Sequence, residues 1–240
     1  MTESVRLAKR LADLEQCSRS EAEQYIAGGW VLVDGKVIEE PGFRVTDEKI
    51  ELLPKATLDP VAPVTILLHK PIGCEANPGT NNALQLITPD TLIALDRSGN
   101  RFLRRHLQAL TLAAPLETAA SGLIVLTQDW RITRKLIDDA AKIEQETIVE
   151  VTGDMVPDGL ALLNHGLSFS GKLLPPIKVS WQNETHLRFA LKNAQLGQIP
   201  HMCQMVGLTV VSMKRIRVGR LPMASLPVGQ WRYLIGYERF

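Results

Sequence analysis

VRLAKRLADLEQCSRSEAEQYIAGGWVLVDGKVI, residues 5–38, decides how the chain begins to fold. Val5, Leu7, Ala8, Leu11 and Leu14 recur at helical spacing, which predicts an amphipathic helix over 5–16. Ser18 stands three residues before Glu21, the spacing of a capping box, so a second helix opens there. It carries Ala22, Tyr25 and Ile26 inward and ends at Gly28-Gly29, because glycine tolerates the left-handed conformation of a helix stop. Asp34-Gly35 then separates two apolar runs, the signal of a type I′ hairpin over 30–38. KIELL at 49–53 reads as one more strand. Arg6, Lys9 and Arg10 fall on one flank of the first helix, at i, i+3 and i+4. Arg19 lies at the N-terminus of the second, where outward N–H groups suit a phosphate.

Further along, PKATLDPVAP at 54–63 holds three prolines and marks a domain boundary. VTILLH (64–69) and SGLIVLT (121–127) read as buried strands, and Asp129 can cap a helix over 130–141. ETIVEV (146–151) alternates as a strand, 157–164 suits a short helix, and paired strands follow near 173–181 and 186–192. A helix over 198–206 ends at Gly207, and a basic strand covers 209–218. Strands and helices interleave irregularly, which predicts an α+β domain around a mostly antiparallel sheet. The domains expected are 1–55 and 62–240.

The chain has 240 residues, 45% apolar and 22% charged, an ordinary globular composition. No apolar run approaches the roughly 18 residues of a membrane helix, and MTESVRLAKRL lacks a signal-peptide core. Cys17, Cys74 and Cys203 are far apart, without metal-ligand spacing, and read as reduced thiols of a cytoplasmic protein. Net charge is only +1, but it is unevenly spread. Residues 200–240 hold six cations against Glu238 alone, and 97–105 hold Arg97, Arg101, Arg104 and Arg105 with no acid. Two such stretches fit a protein that meets phosphate on one face, while a solvated face explains either one alone. Arg101, Arg104 and Arg105 would share one helix face. His165, His186 and His201 are scattered, so no metal site is read.

The opening stretch resembles the S4 RNA-binding domain, through R-L-x-K at 6–9, C-S-R-x-E-A at 17–22 and V-x-V-D-G-K at 31–36. In that family the helix pair and hairpin bind structured RNA by the basic flank. Relatives often carry an arginine where this chain has Ser20. The remainder is similar to the RsuA/RluF-type pseudouridine synthases. LLHKPIG at 67–73 looks like L-N-K-P-x-G, and APLETAASGLIVLTQD at 114–129 like G-R-L-D-x-x-T-S-G-L-x-x-L-T-x-D. EQETIVEV at 144–151 looks like E-K-x-Y-x-V-x-V, and 193–234 like the family's closing segment through G-E-W-R-x-L. The resemblance implies RNA contacts at Arg6, Lys9, Arg10, Ser18, Arg19, Lys36 and Lys70.

It also implies a reaction, in which an aspartate carboxylate detaches and re-attaches a flipped uracil, with no metal or organic cofactor. An arginine two residues earlier helps hold the aspartate, a tyrosine stacks on the base, and a lysine or arginine adds charge. Here the nucleophile position is Glu117, the arginine is Pro115, the lysine Gln145 and the tyrosine Thr147. Ala114 and Ala120 replace a glycine and a threonine, and Pro200 and His201 replace two arginines. Leu116, Ser121-Gly122-Leu123, Arg215, Gly219 and Trp231-Arg232 survive as scaffold. One reading is a pseudoenzyme: a cytoplasmic monomer that binds structured ribosomal RNA with weak or lost isomerase activity. Another is a divergent synthase using Glu117, and a third is a protein-interaction module whose RNA affinity has faded.

Overall fold

A computed structural model describes residues 4–76 and 82–240. The chain divides into two compact units, Met1–Pro63 with Arg101–Gln108, and Val64–Asn100 with Ala109–Phe240.

In the first unit, Val5–Arg6 is a short strand paired antiparallel with Arg44–Val45, so the helix expected from residue 5 begins at Leu7 and runs to Glu15. Gln16 stops it in the left-handed region at φ 53°. The second helix, Arg19–Ala27, opens on the capping box read from the sequence. The Ser18 hydroxyl accepts the Glu21 N–H at 3.2 Å, and the Glu21 carboxylate accepts the Ser18 N–H at 2.8 Å. Leu7, Ala8 and Leu11 pack against Ala22, Ile26, Val31, Val33 and Val45 as one small core. Asp34 (φ 47°) and Gly35 (φ 76°) turn the hairpin Val31–Val33/Lys36–Val37 with positive φ at both positions. Ile50–Leu52 completes that sheet on the other side of Val31–Val33.

Residues 101–108 differ from expectation. They lie inside the 62–240 span yet belong to the first unit. Arg101 sets its guanidinium 4.4 Å from the Trp30 ring centroid and donates to the Gly29 carbonyl at 2.5 Å. The backbone N–H of Arg104 meets the Glu39 carboxylate at 2.9 Å. Arg104–Leu107 is a single 3-10 turn, so Arg101, Arg104 and Arg105 do not form one helical face. Stacking on Trp30 draws Arg101 inward, while Arg104 and Arg105 stay exposed.

The second unit is α+β, built on a mostly antiparallel sheet. Its order is Lys178–Trp181, His186–Lys192, Glu144–Thr152, Thr209–Val218, Ser121–Thr127, Thr65–Lys70 and Trp231–Tyr233. Among the described residues the one parallel pairing between strands of this sheet joins Thr209–Val218 to Ser121–Thr127, with Arg215 opposite Gly122. Gly122 is required there: its φ is +120°, and a Cβ would fall 2.3 Å from the Arg215 carbonyl oxygen. All six residues of Thr65–Lys70 are buried, as a strand with both faces covered must be. Asp129 caps the next helix by accepting the Arg131 N–H at 2.9 Å. That helix breaks into an α turn (Trp130–Thr133), a π turn (Arg134–Asp138) and a 3-10 turn (Ala140–Lys142). Ser168–Phe169 and Lys172–Leu173 form a small hairpin that the sequence reading missed. No helix among the described residues is long and apolar enough to cross a membrane.

Candidate functional site

Glu117 sits on the connection that leads into Ser121–Thr127. Its Oε1 accepts the backbone N–H of Gly197 at 2.8 Å. Gly197 has φ +79° and stands at the N-terminus of the helix Gln198–Met205. The carboxylate therefore faces the end where unsatisfied N–H groups and the helix dipole both favour negative charge. Among the described residues no side-chain cation donates to it.

Two buried cations flank this loop. Arg215, 3% exposed, spends its guanidinium on the carbonyls of Leu123, Pro115 and Ala114, each at 2.7 Å, and on the Gln145 side-chain oxygen at 3.0 Å. Burial pulls its pKa down to about 10, against the favourable charge of Glu117. Lys70 is fully buried and gives its ammonium to the carbonyls of Cys74 (2.7 Å), Pro71 (3.0 Å) and Thr118 (3.3 Å). Burial lowers its pKa too, with Arg215 adding to the shift and Cys74 and Glu117 opposing it. Gly73 N–H closes the same loop on the Thr118 carbonyl at 2.8 Å. Among the acceptors of the two cations are Ala114, Pro115 and Thr118, on either side of Glu117. These contacts fix the loop backbone; they do not hold the carboxylate.

The sequence reading grouped Lys70 with the RNA-contacting cations. The structure instead buries it, with its three N–H donors on three carbonyls, because an ammonium inside a sheet must find acceptors. The resemblance implies only a scaffold role for Arg215, yet its guanidinium binds the loop carbonyls of Ala114 and Pro115. Its signal was an arginine at a strand position that alternation turns inward, between buried Met213 and Val218. Gly197 was also missed, and a glycine just before a helix start was the available clue.

Pro115 serves through its carbonyl, and Gln145 supplies an acceptor for Arg215. Thr147 is buried opposite Arg215 in the register. Pro200 lies in the first helical turn, where a missing N–H costs no intrahelical bond. His201 Nε2 lies 3.1 Å from the Ser168 carbonyl, and its ring meets Phe169 edge-on at 5.4 Å.

On the first unit, Arg6, Lys9, Arg10, Arg19 and Lys36 are all exposed. Arg19 pairs loosely with Glu23 at 3.7 Å, a surface pair of little energetic weight. Ser18 is exposed too, its hydroxyl taken by the helix cap. Among the described residues no three His, Cys, Asp or Glu side chains come together as a metal site.

The S4 domain family matches residues 5–50. Over nearly its whole length the chain is similar to a protein of Aquifex aeolicus described as an uncharacterized RNA pseudouridine synthase. The two are 28% identical over 98% of this chain and 94% of that protein. The dual-specificity RNA pseudouridine synthase RluF of Escherichia coli K12 is 26% identical, over 98% of this chain and 77% of that one. Ribosomal large subunit pseudouridine synthase B of Bacillus subtilis is 25% identical, over 97% and 93%. A crystal structure of a pseudouridylate synthase superposes with a TM-score of 0.61, at 19% identity and 96% coverage of both chains. The fold is therefore that of a pseudouridylate synthase, with an S4 domain before it. The chain is a homologue of the RNA pseudouridine synthases of the RsuA/RluF type.

Proposed function

We propose that this protein binds structured ribosomal RNA on a pseudouridine-synthase scaffold, with weak or lost uridine isomerase activity. It acts as a cytoplasmic monomer, with S4 and synthase-like domains at 1–55 and 62–240, and needs no metal or organic cofactor. The observation that carries the reading is the environment of Glu117, whose carboxylate is held by a backbone N–H while the nearby guanidinium is spent on other acceptors. A nucleophile must reach the base from one fixed position. The extra methylene of glutamate moves the carboxylate by roughly 1 Å, and a misplacement of that size can cost about a hundredfold in rate. Thr147 offers no aromatic face to a flipped base, and Pro115 offers no charge. Arg6, Lys9, Arg10, Arg19 and Lys36 remain exposed for phosphate contacts, with Ser18 beside them.

The retained carboxylate, near the charges of Lys70 and Arg215, supports the second reading, a divergent synthase using Glu117. Pseudouridine maps of ribosomal RNA from cells with and without the protein separate the two. Identical maps are expected, and a missing site would establish catalysis.

RNA binding itself is tested by titrating the full chain with a labelled ribosomal RNA hairpin at increasing salt. Affinity falls as salt rises, because phosphate contacts release counterions. Lys9→Ala with Arg19→Ala lowers the salt slope by about two, one unit for each lost phosphate contact. Salt-independent binding, or an unchanged slope, contradicts the S4 assignment of RNA contacts.

A further inference from the structure

Arg215 and Arg217 are two residues apart on one strand, and a regular pleat would send both to the same face. They point to opposite faces. The pairing with Glu144–Thr152 shifts between them, so that Arg215 faces Thr147 while Arg217 faces Glu146. Arg215 thus reaches Gln145 and the Glu117 loop. Arg217 reaches Glu144 at 2.6 Å and Glu146 at 2.7 Å on the other side.

Around Arg217 lies a concavity of about 430 Å³, within the range of small-ligand clefts. Lys135, Lys142, Arg217, Arg220 and Arg239 line it, against one side-chain carboxylate, that of Glu144. That carboxylate and Glu146 are already bound to Arg217, and Glu146 also takes Arg188. The neighbouring Glu238 is bound to Arg232. Lys135 and Arg220 have no ion-pair partner among the described residues. Lys142 holds Asp139 in an exposed pair, and Arg239 spends one nitrogen on the neutral carbonyls of Gly236 and Glu238. The frame is preformed. Gly219 N–H bonds the Glu144 carbonyl at 2.8 Å, and a Cβ on Gly219 would fall 2.6 Å from the Phe240 carbonyl carbon. The turn carrying Arg220 is thus held at Gly219, and Val218 pairs with Leu221 across it.

We propose that this concavity is a phosphate-binding site, on the sheet face opposite the one that Arg215 serves, and that it takes a phosphodiester of bound RNA. The inference rests on the RNA-binding reading above. Guanidinium forks and ammonium groups fit phosphate oxygens. No exposed aromatic ring lines the concavity for a base to stack on, so it recognises the backbone and not the nucleobase.

The test compares the full chain with Lys135→Ala/Arg220→Ala, after equal thermal unfolding confirms that the variant is folded. RNA hairpin affinity is measured by fluorescence anisotropy across salt, and inorganic pyrophosphate binding by calorimetry. The double variant is expected to bind RNA more weakly with a salt slope lower by about two, so its deficit shrinks roughly tenfold between about 50 and about 200 mM salt. Pyrophosphate binding lost in the variant, with RNA affinity unchanged, supports a phosphate site but assigns it to a free ligand, overturning the RNA source. Unchanged RNA affinity with no pyrophosphate effect overturns the site itself. Absence of RNA binding by the unaltered chain is a different failure: it removes the RNA-binding reading, and pyrophosphate binding alone then decides whether the site exists.

Discussion

The Glu117 carboxylate accepts the backbone N–H of Gly197 at a helix N-terminus. A charge-assisted bond of this kind gives the carboxylate a structural role. Glu117→Ala is expected to destabilise the full chain by about 1–2 kcal/mol, and Glu117→Gln, which keeps an acceptor oxygen, by about half of that. Urea unfolding measures both, and an Ala variant as stable as the parent would remove the capping role. A few residues away, Gly122→Ala places a Cβ against the Arg215 backbone at positive φ, with an expected cost of about 3 kcal/mol in the same assay. Little of this was legible in the sequence. Glu117 could be aligned to a motif, but its partner Gly197 lies 80 residues on, and backbone donors leave no trace in residue types. Arg215 and Lys70 were visible as cations. That they are buried, and spent on carbonyls, is a tertiary fact.

At the scale of elements, local chemistry was read well where it is self-contained. The capping box at Ser18–Glu21 and the Asp34-Gly35 turn each depend on a few consecutive residues, and both form as their spacing requires. The sequence predicts one helix over 130–141, and the segment 130–142 forms three short turns of different pitch. Its apolar residues keep a roughly helical spacing throughout, so periodicity alone could not reveal the change of winding. The bulge between Arg215 and Arg217 was also illegible, since it depends on the partner strand. Its consequence can be measured. Arg217, followed by Arg188, holds the Glu146 carboxyl below the usual carboxylate range. The stability this contributes is present in full above the unfolded carboxylate pKa of about 4.3, and is lost as pH falls through the lower folded value. Glu146→Gln is therefore expected to be less stable at neutral pH and to lose less on acidification. A parallel acid limb in the two proteins would show that this pair does not set it.

For the whole molecule, the order of pieces was legible almost throughout: an S4 module, a proline-rich stretch, and a mostly antiparallel sheet domain. Hydrophobic patterning is legible because burial demands it. The return of residues 101–108 to the first unit was not legible, because Arg101 on Trp30 joins positions 71 residues apart with no periodic signal. The same contrast bears on function. In the proposed reading, Pro115, Gln145 and Thr147 stand where the resemblance implies an arginine, a lysine and a tyrosine. Groups that act as a unit are far from additive, so Glu117→Asp alone is not expected to restore turnover. The direct measurement is tritium release from ribosomal RNA transcripts carrying 5-tritiated uridine, run on the full chain under conditions where it binds the RNA. No release above background is expected from the unaltered protein or from Glu117→Asp. Sustained release by the unaltered protein would contradict the loss of isomerase activity.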